Sequence, residues 1–345
     1  MSQATPLPHP ELIIFDVDGT LVDVTRSYRE TAPTAARVYL ELLGLQPPVL
    51  TGDVYDTFKR MTGFNDDWDL TAGLLRVLLV GLPPASPLAL PLPDRAWSSL
   101  DALIAALQAA SQPIAGLTPP LPDWEPLVSA VRAAGGGLAG LSQVIPDRNA
   151  RLVWRTGDAA ITDLVQRIFS EVYLGAELFA AAYGYAPRFH NGPGLREHES
   201  MLIDPTTLKS LSAHARLGIA TGRARFEMAP LLADPSFARF FSAVATMSDA
   251  LDAQTAGNES LLKPHPFLLQ RAADALDPTG TQVAAYVGDA PDDIIAARRA
   301  DAAGPCRWIA IGIASTSAQA EHCRRLGADH IIAHPDELAT MWNNE

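Results

Sequence analysis

Residues 11–23 read E-L-I-I-F-D-V-D-G-T-L-V-D. The run 11–15 is apolar and short, and it stops at Asp16. It reads as a strand buried on both faces of a parallel sheet. Such sheets bind ligands beyond the carboxyl ends of their strands, so Asp16 is expected to point into that crevice. Asp18 follows two residues on, and Gly19 permits a sharp turn. Two carboxylates this close repel each other unless a cation or a proton lies between them. A plain polar loop, with Asp18 and Asp23 as helix caps, would explain isolated acidic residues. It does not explain D-V-D-G-T-L-V-D following a buried strand.

Outward from this stretch, helical spacing sets in from residue 22 through Tyr28, Ala32, Ala36 and Leu40, and Gly44 stops it. Shorter helical patterns follow around 54–61 and 69–79. Prolines then fall at 83, 84, 87, 91, 93, 113, 119, 120 and 122, and glycines at 135–137. Residues 81–157 read as an irregular, partly mobile Pro/Gly-rich insertion with two short helices. A long helical pattern resumes over 158–185.

After residue 208 the rhythm becomes strand–helix–strand. Strands are expected at 216–221, 243–247, 283–288, 308–313 and 329–332. Helices are expected at 223–232, 266–276, 292–300 and 317–326. This alternation implies a parallel sheet covered on both faces. The predicted fold is α/β: a Rossmann-like, doubly wound core from residues 1–24 and 201–345. A mostly helical cap, residues 25–200, interrupts it and contains the insertion at about 81–157.

Three later stretches carry candidate chemistry. In L-G-I-A-T-G-R (217–223), Thr221 closes a strand and Gly222 exposes backbone N–H groups at the next helix start, which makes an anion site. In L-L-K-P-H-P (261–266), Lys263 is one of only three lysines, and the proline after it predicts extended backbone just before a helix. A cation there could neutralise a carboxylate and a phosphoryl oxygen. In Y-V-G-D-A-P-D-D-I (286–294), Asp289 ends a strand and Asp292 and Asp293 open a helix. Helix capping accounts for some of these carboxylates. Three in five residues also suit a hard, oxygen-seeking cation such as Mg²⁺.

These motifs, in this order and each at a strand end, resemble the haloacid dehalogenase-like (HAD) superfamily of phosphotransferases. The resemblance covers about residues 11–26 and 208–335, and the inserted helical block is similar to the cap of its subfamily I. It implies that Asp16 is a nucleophile forming an aspartyl-phosphate. It implies that Asp18 is the general acid and then base, with a backbone carbonyl on Mg²⁺. Thr221, with Gly222, and Lys263 would hold phosphate. Asp289 would bind the metal, supported by Asp293, while Asp292 would be peripheral. The implied activity is Mg²⁺-dependent hydrolysis of a small phosphorylated metabolite. The alternatives are a phosphomutase, a phosphonate hydrolase, or a non-catalytic binding protein on the same scaffold. A phosphonate hydrolase of this kind needs a Schiff-base lysine in the cap, and Lys59 is the only cap lysine ahead of the insertion.

Within the cap, Arg26 follows Asp16 closely enough to reach a core–cap cleft and read a polar or anionic end of the substrate. Asp66 and Trp68 are further candidates to line that cleft. His265 reads as a polar residue at a helix start.

Composition narrows the partners. The 345 residues carry a net charge of -13, which disfavours nucleic acid and anionic membranes. No run of about twenty apolar residues predicts a membrane span, and residues 1–10 do not read as a signal peptide. The two cysteines, Cys306 and Cys323, form no disulfide framework or metal spacing. A cytoplasmic monomer or homodimer is expected.

Overall fold

The computed structural model describes residues 8–64, 66–86, 97, 99–157, 162–254, 260–280 and 283–342. Of the insertion's prolines, those at 87, 91 and 93 lie outside the described residues. The chain forms two compact units, Met1–Asp23 with Ser200–Glu345, and Val24–Glu199.

In chain order, β1 (Leu12–Phe15) and β2 (Val22–Asp23) come first. Among the described residues seven α-helices follow: α1 (Tyr28–Leu42), α2 (Asp53–Arg60), α3 (Asp67–Val80), α4 (Leu100–Ser111), α5 (Trp124–Ala133), α6 (Gly137–Val144) and α7 (Leu164–Tyr183). Then come β3 (Ser200–Met201), α8 (Pro205–Ser212), β4 (Arg216–Ala220), α9 (Arg225–Leu232), α10 (Pro235–Ala238), β5 (Phe241–Ala245) and α11 (Met247–Ala253). The last stretch holds α12 (Phe267–Leu276), β6 (Val283–Gly288), α13 (Pro291–Ala303), β7 (Arg307–Ile313), α14 (Ser317–Leu326), β8 (His330–Ile332) and α15 (Leu338–Met341).

The first unit is built on a six-stranded parallel sheet of order β5-β4-β1-β6-β7-β8. β1 lies inside the sheet, and all four of its side chains are buried. Side chains alternate across a strand, so Leu12 and Ile14 join a core cluster with Leu268 and Leu269 of α12 and Ile294 of α13. On the opposite side Ile13 borders Leu211 of α8 and Leu338 of α15, and the Phe15 ring stands 6.1 Å from Phe241. Each such buried side chain contributes about 1.5–3 kcal/mol. That is why an uninterrupted apolar run belongs in an inner parallel strand.

Several elements differ from expectation. Residues 22–23 begin no helix: they form β2, antiparallel to β3, with Val22 opposite Met201. The pairing partner lies almost 180 residues away, outside any local periodicity. The strand expected to reach 247 stops at Ala245, because the N–H and hydroxyl of Thr246 both donate to Asp249 Oδ2 and start α11.

The second unit is helical. α1 buries Tyr28, Ala32, Ala36, Tyr39 and Leu40, one stripe at helical spacing. The insertion is more regular than its prolines suggest, with α4, α5 and α6 where two short helices were expected. Its apolar residues Leu103, Leu107, Ile114, Val131, Leu141 and Leu152 are fully buried. Backbone and side-chain bonds tie it to the earlier helices. The Tyr39 hydroxyl donates to the Leu152 carbonyl at 2.8 Å. Asn149 Nδ2 donates to the carbonyls of Leu79 and Pro83, each at 3.0 Å, and its Oδ1 accepts from the Ala85 N–H. The long pattern after 158 becomes α7, which breaks at Gly175 (φ 76°, ψ 172°). A Cβ at Gly175 would overlap the backbone of Gly194.

Candidate active site

Parallel pairing delivers three strand ends to one edge of the sheet. Phe15 is level with Ile219 of β4 and with Val287 of β6. Asp16, Thr221 and Asp289 therefore leave the sheet together. The Asp16 N–H donates to the Val287 carbonyl at 2.9 Å, and the Thr221 N–H to that of Ala245 at 3.0 Å.

Lys263 links the acidic side chains. Its Nζ donates to Asp16 Oδ1 at 2.8 Å, to Asp293 Oδ1 at 2.7 Å and to the Tyr286 hydroxyl at 3.2 Å. That hydroxyl donates in turn to the Ala220 carbonyl at 2.9 Å. Lys263 lies in a turn rather than in the expected extended segment, and its peptide bond to Pro264 is cis. His265 caps the following helix start, its Nδ1 accepting from the Phe267 N–H at 3.2 Å.

Carboxylate oxygens of Asp16, Asp289 and Asp293 lie within 4.8 Å of one another. Burial pushes the Asp16 carboxyl up to about 7: Lys263 pulls it down, while the charges of Asp293 and Asp18 add to the rise. Asp289 is exposed as a residue, yet its carboxyl packs against the turn at Gly19. Loss of water around that carboxyl, then the charges of Asp293, Asp16 and Asp18, raise it well above the ordinary range. Lys263 stays charged, because Asp16 and Asp293 outweigh the burial that opposes protonation. Four carboxylates face two cationic side chains here, Lys263 and Arg223. The excess negative charge and the all-oxygen donor set suit a hard divalent cation.

Asp293 Oδ2 accepts the Ala290 N–H at 3.0 Å, as a helix cap would, and its Oδ1 accepts from Lys263 and lies 3.2 Å from the Tyr286 hydroxyl oxygen. The Thr221 hydroxyl oxygen accepts the Arg223 N–H at 3.1 Å, and no described group takes the hydroxyl's own proton. Gly222 beside it is exposed, with open space where a side chain would stand.

Two residues of this site gave no signal of their own in the sequence. Arg223, whose side chain is 1% exposed, donates from Nε at 2.8 Å and from Nη2 at 2.6 Å to Asp18 Oδ1. Tyr286 is buried between Lys263, Asp293 and Ala220. Both stand inside quoted motifs, but residue type alone does not reveal that an arginine turns inward.

The cap candidates belong to the second unit. Arg26 is exposed, two residues ahead of α1. Asp66 is the N-cap of α3, accepting from the N–H groups of Trp68 and Asp69. Arg155 binds Asp66 at 3.2 Å and Asp69 at 3.1 Å, also pairs with Asp163, and lies over the Trp68 ring. Burial first, then Asp69, raises the Asp66 carboxyl to about 6. These contacts tie the start of α3 to that of α7, the helix capped by Asp163. Lys59 pairs with Asp67 at 2.9 Å and donates to the Phe64 carbonyl at 3.0 Å.

Comparison with known proteins adds the following. A family profile described as a haloacid dehalogenase-like hydrolase matches residues 10–301. A structural-genomics target solved by X-ray crystallography shares the fold, with a TM-score of 0.62 and 20% identity over 97% of this chain and 98% of its own. Phosphatase Tt82 from Thermococcus thioreducens aligns with a TM-score of 0.48 and 22% identity, over 87% of this chain and 92% of its own. A putative haloacid dehalogenase-like hydrolase from Bacteroides fragilis reaches 0.46 at 16% identity, over 95% and 99%. The last two similarities are too low to bear on this chain. No curated protein matches it. No helix among the described residues is long and apolar enough to cross a membrane.

Proposed function

Because the chain belongs to the haloacid dehalogenase-like hydrolases, we propose that it is a phosphatase acting on a small phosphorylated metabolite through an aspartyl-phosphate on Asp16. The observation that carries this reading is Asp16 itself. It is buried at a strand end, held by Lys263 and crowded by Asp289 and Asp293.

In the first half-reaction an Asp16 carboxylate oxygen attacks phosphorus in line. The bond from phosphorus to the leaving oxygen breaks, and Asp18 gives that oxygen its proton. In the second half Asp18 takes a proton from water as the water oxygen attacks phosphorus. The Asp16–phosphorus bond then breaks and inorganic phosphate leaves. The Thr221 hydroxyl, the exposed Gly222 backbone and Lys263 hold the phosphoryl oxygens and neutralise the charge that develops on them. Asp16, Asp289 and the Asp18 carbonyl, with Asp293 behind them, would hold Mg²⁺, which would supply the positive charge that lets an anion approach an anion. The ion pair that occupies Lys59 favours ester over phosphonate chemistry, since a Schiff base needs a free amine. Two free cysteines fit a reducing compartment such as the cytoplasm.

The test is phosphate release by the purified protein from a panel of phosphorylated metabolites and from p-nitrophenyl phosphate, with Asp16→Asn alongside. The variant should fall to background, a loss of about 10³-fold or more. Turnover retained by Asp16→Asn would exclude Asp16 as the nucleophile.

A further inference from the structure

The geometry points to Arg223 as the positioning residue for Asp18, fixing which of its oxygens meets the leaving group. This deepens the phosphatase reading and rests on it.

Arg223 follows the Thr221–Gly222 turn, and its own backbone is pinned at both ends. Its N–H donates to Thr221 Oγ1 at 3.1 Å, and its carbonyl accepts the Met247 N–H at 2.9 Å. From that anchored position the side chain reaches a residue 205 positions away in sequence. A buried guanidinium costs several kcal/mol to desolvate and is weak support for stability in itself. Asp18, which it grips, is not a core residue: the Asp18 side chain is 31% exposed. The pairing is also one-sided. A fork-to-fork arginine pair would occupy both carboxylate oxygens. Here Nε and Nη2 both converge on Oδ1, and Oδ2 accepts from no described residue.

This arrangement divides the work of the carboxyl group. Oδ1 is clamped, which removes rotation about the last side-chain bond. Oδ2 is the oxygen left to carry the proton to the leaving alcohol and, in the second half, to receive one from water. Misplacement of such a group by about 1 Å can cost 10²-fold in rate, so a rigid hold is worth its desolvation. Lys263 and Asp293 perform the equivalent service for Asp16, through different residues.

The test uses the full chain with Mg²⁺ and two substrates. In p-nitrophenyl phosphate the leaving group departs with little help. In phenyl phosphate it is a phenol of pKa about 10, like tyrosine's, and needs its proton. The quantity read is kcat/KM, which covers phosphoryl transfer to Asp16 and not the later hydrolysis. Arg223→Gln should lower it about 10- to 100-fold for phenyl phosphate and less than about 5-fold for the nitro ester, within the usual span of general acid catalysis. Arg223→Lys, which keeps the buried charge but not the two-donor grip, should give a smaller split of the same sign. In an Asp18→Asn background Arg223→Gln should add no further split, because a positioning residue has nothing left to position. Equal losses on both esters, or a gain in rate, would overturn the assignment. Asp18→Asn alone separates the two levels. If it shows no split, the acid role of Asp18 fails. If it shows one and both Arg223 variants do not, only the positioning role fails.

Discussion

The ammonium of Lys263 stands 2.8 Å from Asp16 Oδ1, and it is the only described side-chain cation bonded to that carboxylate. Replacing Lys263 with Met removes the cation shared by Asp16 and Asp293 and leaves two buried carboxyls facing each other, with Asp16 driven further toward its protonated form. Breaking a buried pair in this way costs about 3–5 kcal/mol, and Lys263→Met should lose that much in urea denaturation of the metal-free protein. Mg²⁺ should recover part of the loss in stability but none of the turnover. An unfolding midpoint equal to that of the unmodified chain would contradict the electrostatic account.

The carboxylate cluster also predicts how metal and pH interact. In the metal-free protein Asp16 titrates near 7 when folded, against an ordinary value of 3.8. The folded state thus holds the extra proton between those values. Unfolding free energy should fall as pH rises through that window and level off above about 7. Asp289 is shifted the same way and adds to the trend. Mg²⁺ competes with protons for these oxygens, so the rise in Tm on adding it should be larger at pH 8 than at pH 6. At about 100 times its Kd the ion contributes about 2.7 kcal/mol. EDTA should silence hydrolysis and added Mg²⁺ restore it. A Tm shift that does not change with pH would rule out these carboxylates as the metal's ligands.

Gly19 has φ +69°, and a methyl group on it would overlap the Asp289 carboxylate. Gly19→Ala should cost about 1–2 kcal/mol for the left-handed backbone alone. To relieve the overlap, the turn or Asp289 must move. Movement of that order at the reacting groups predicts a fall in kcat/KM of about 100-fold. A variant with near-normal turnover of p-nitrophenyl phosphate would show that the close approach of loop and carboxylate is dispensable.

In the second unit the buried carboxylate of Glu171 pairs with Arg167 at 2.9 Å and accepts the backbone N–H groups of Arg188, Phe189 and His190. Glu171→Ala removes one charge of a buried pair and orphans three donors, so a loss of about 3–5 kcal/mol is expected. Chemical denaturation followed by tryptophan fluorescence measures it. A change below about 1 kcal/mol would mean that water replaces the carboxylate at no great cost.

Some of this was open to reading from the sequence, and the reasons differ by residue. β6 and α14 fall at 283–288 and 317–326, where they were expected. The first is an unbroken apolar run, and the second opens on the Thr316 cap and closes at Gly327 with φ +98°. The α/β fold followed from such local signals repeated in order. β2 was hidden because its partner, β3, lies far along the chain. The insertion misled for another reason. Pro83, Pro84, Pro119, Pro120 and Pro122 lie between helices, while Leu103, Leu107 and Ile114 are fully buried, which no local count reveals. In the site, acidic residues at strand ends were conspicuous, as was a rare lysine beside a proline. Arg223 was not, because arginine is ordinarily a surface residue, and its pairing with the distant Asp18 is not visible in local sequence.

β1 leaves the ribosome ahead of both its sheet neighbours, yet it occupies the interior of its sheet, between β4 and β6. Neither neighbour exists until more than two hundred residues have followed. During synthesis Val24–Glu199, a compact unit formed from one continuous stretch, can settle while the apolar segment ahead of Asp16 waits unpaired. A sheet closed by contacts so distant in sequence forms slowly. The waiting strand is the part of the nascent chain most exposed to wrong pairing, and protein made to stop before Val283 would lack both a finished sheet and the carboxylates of Asp289 and Asp293.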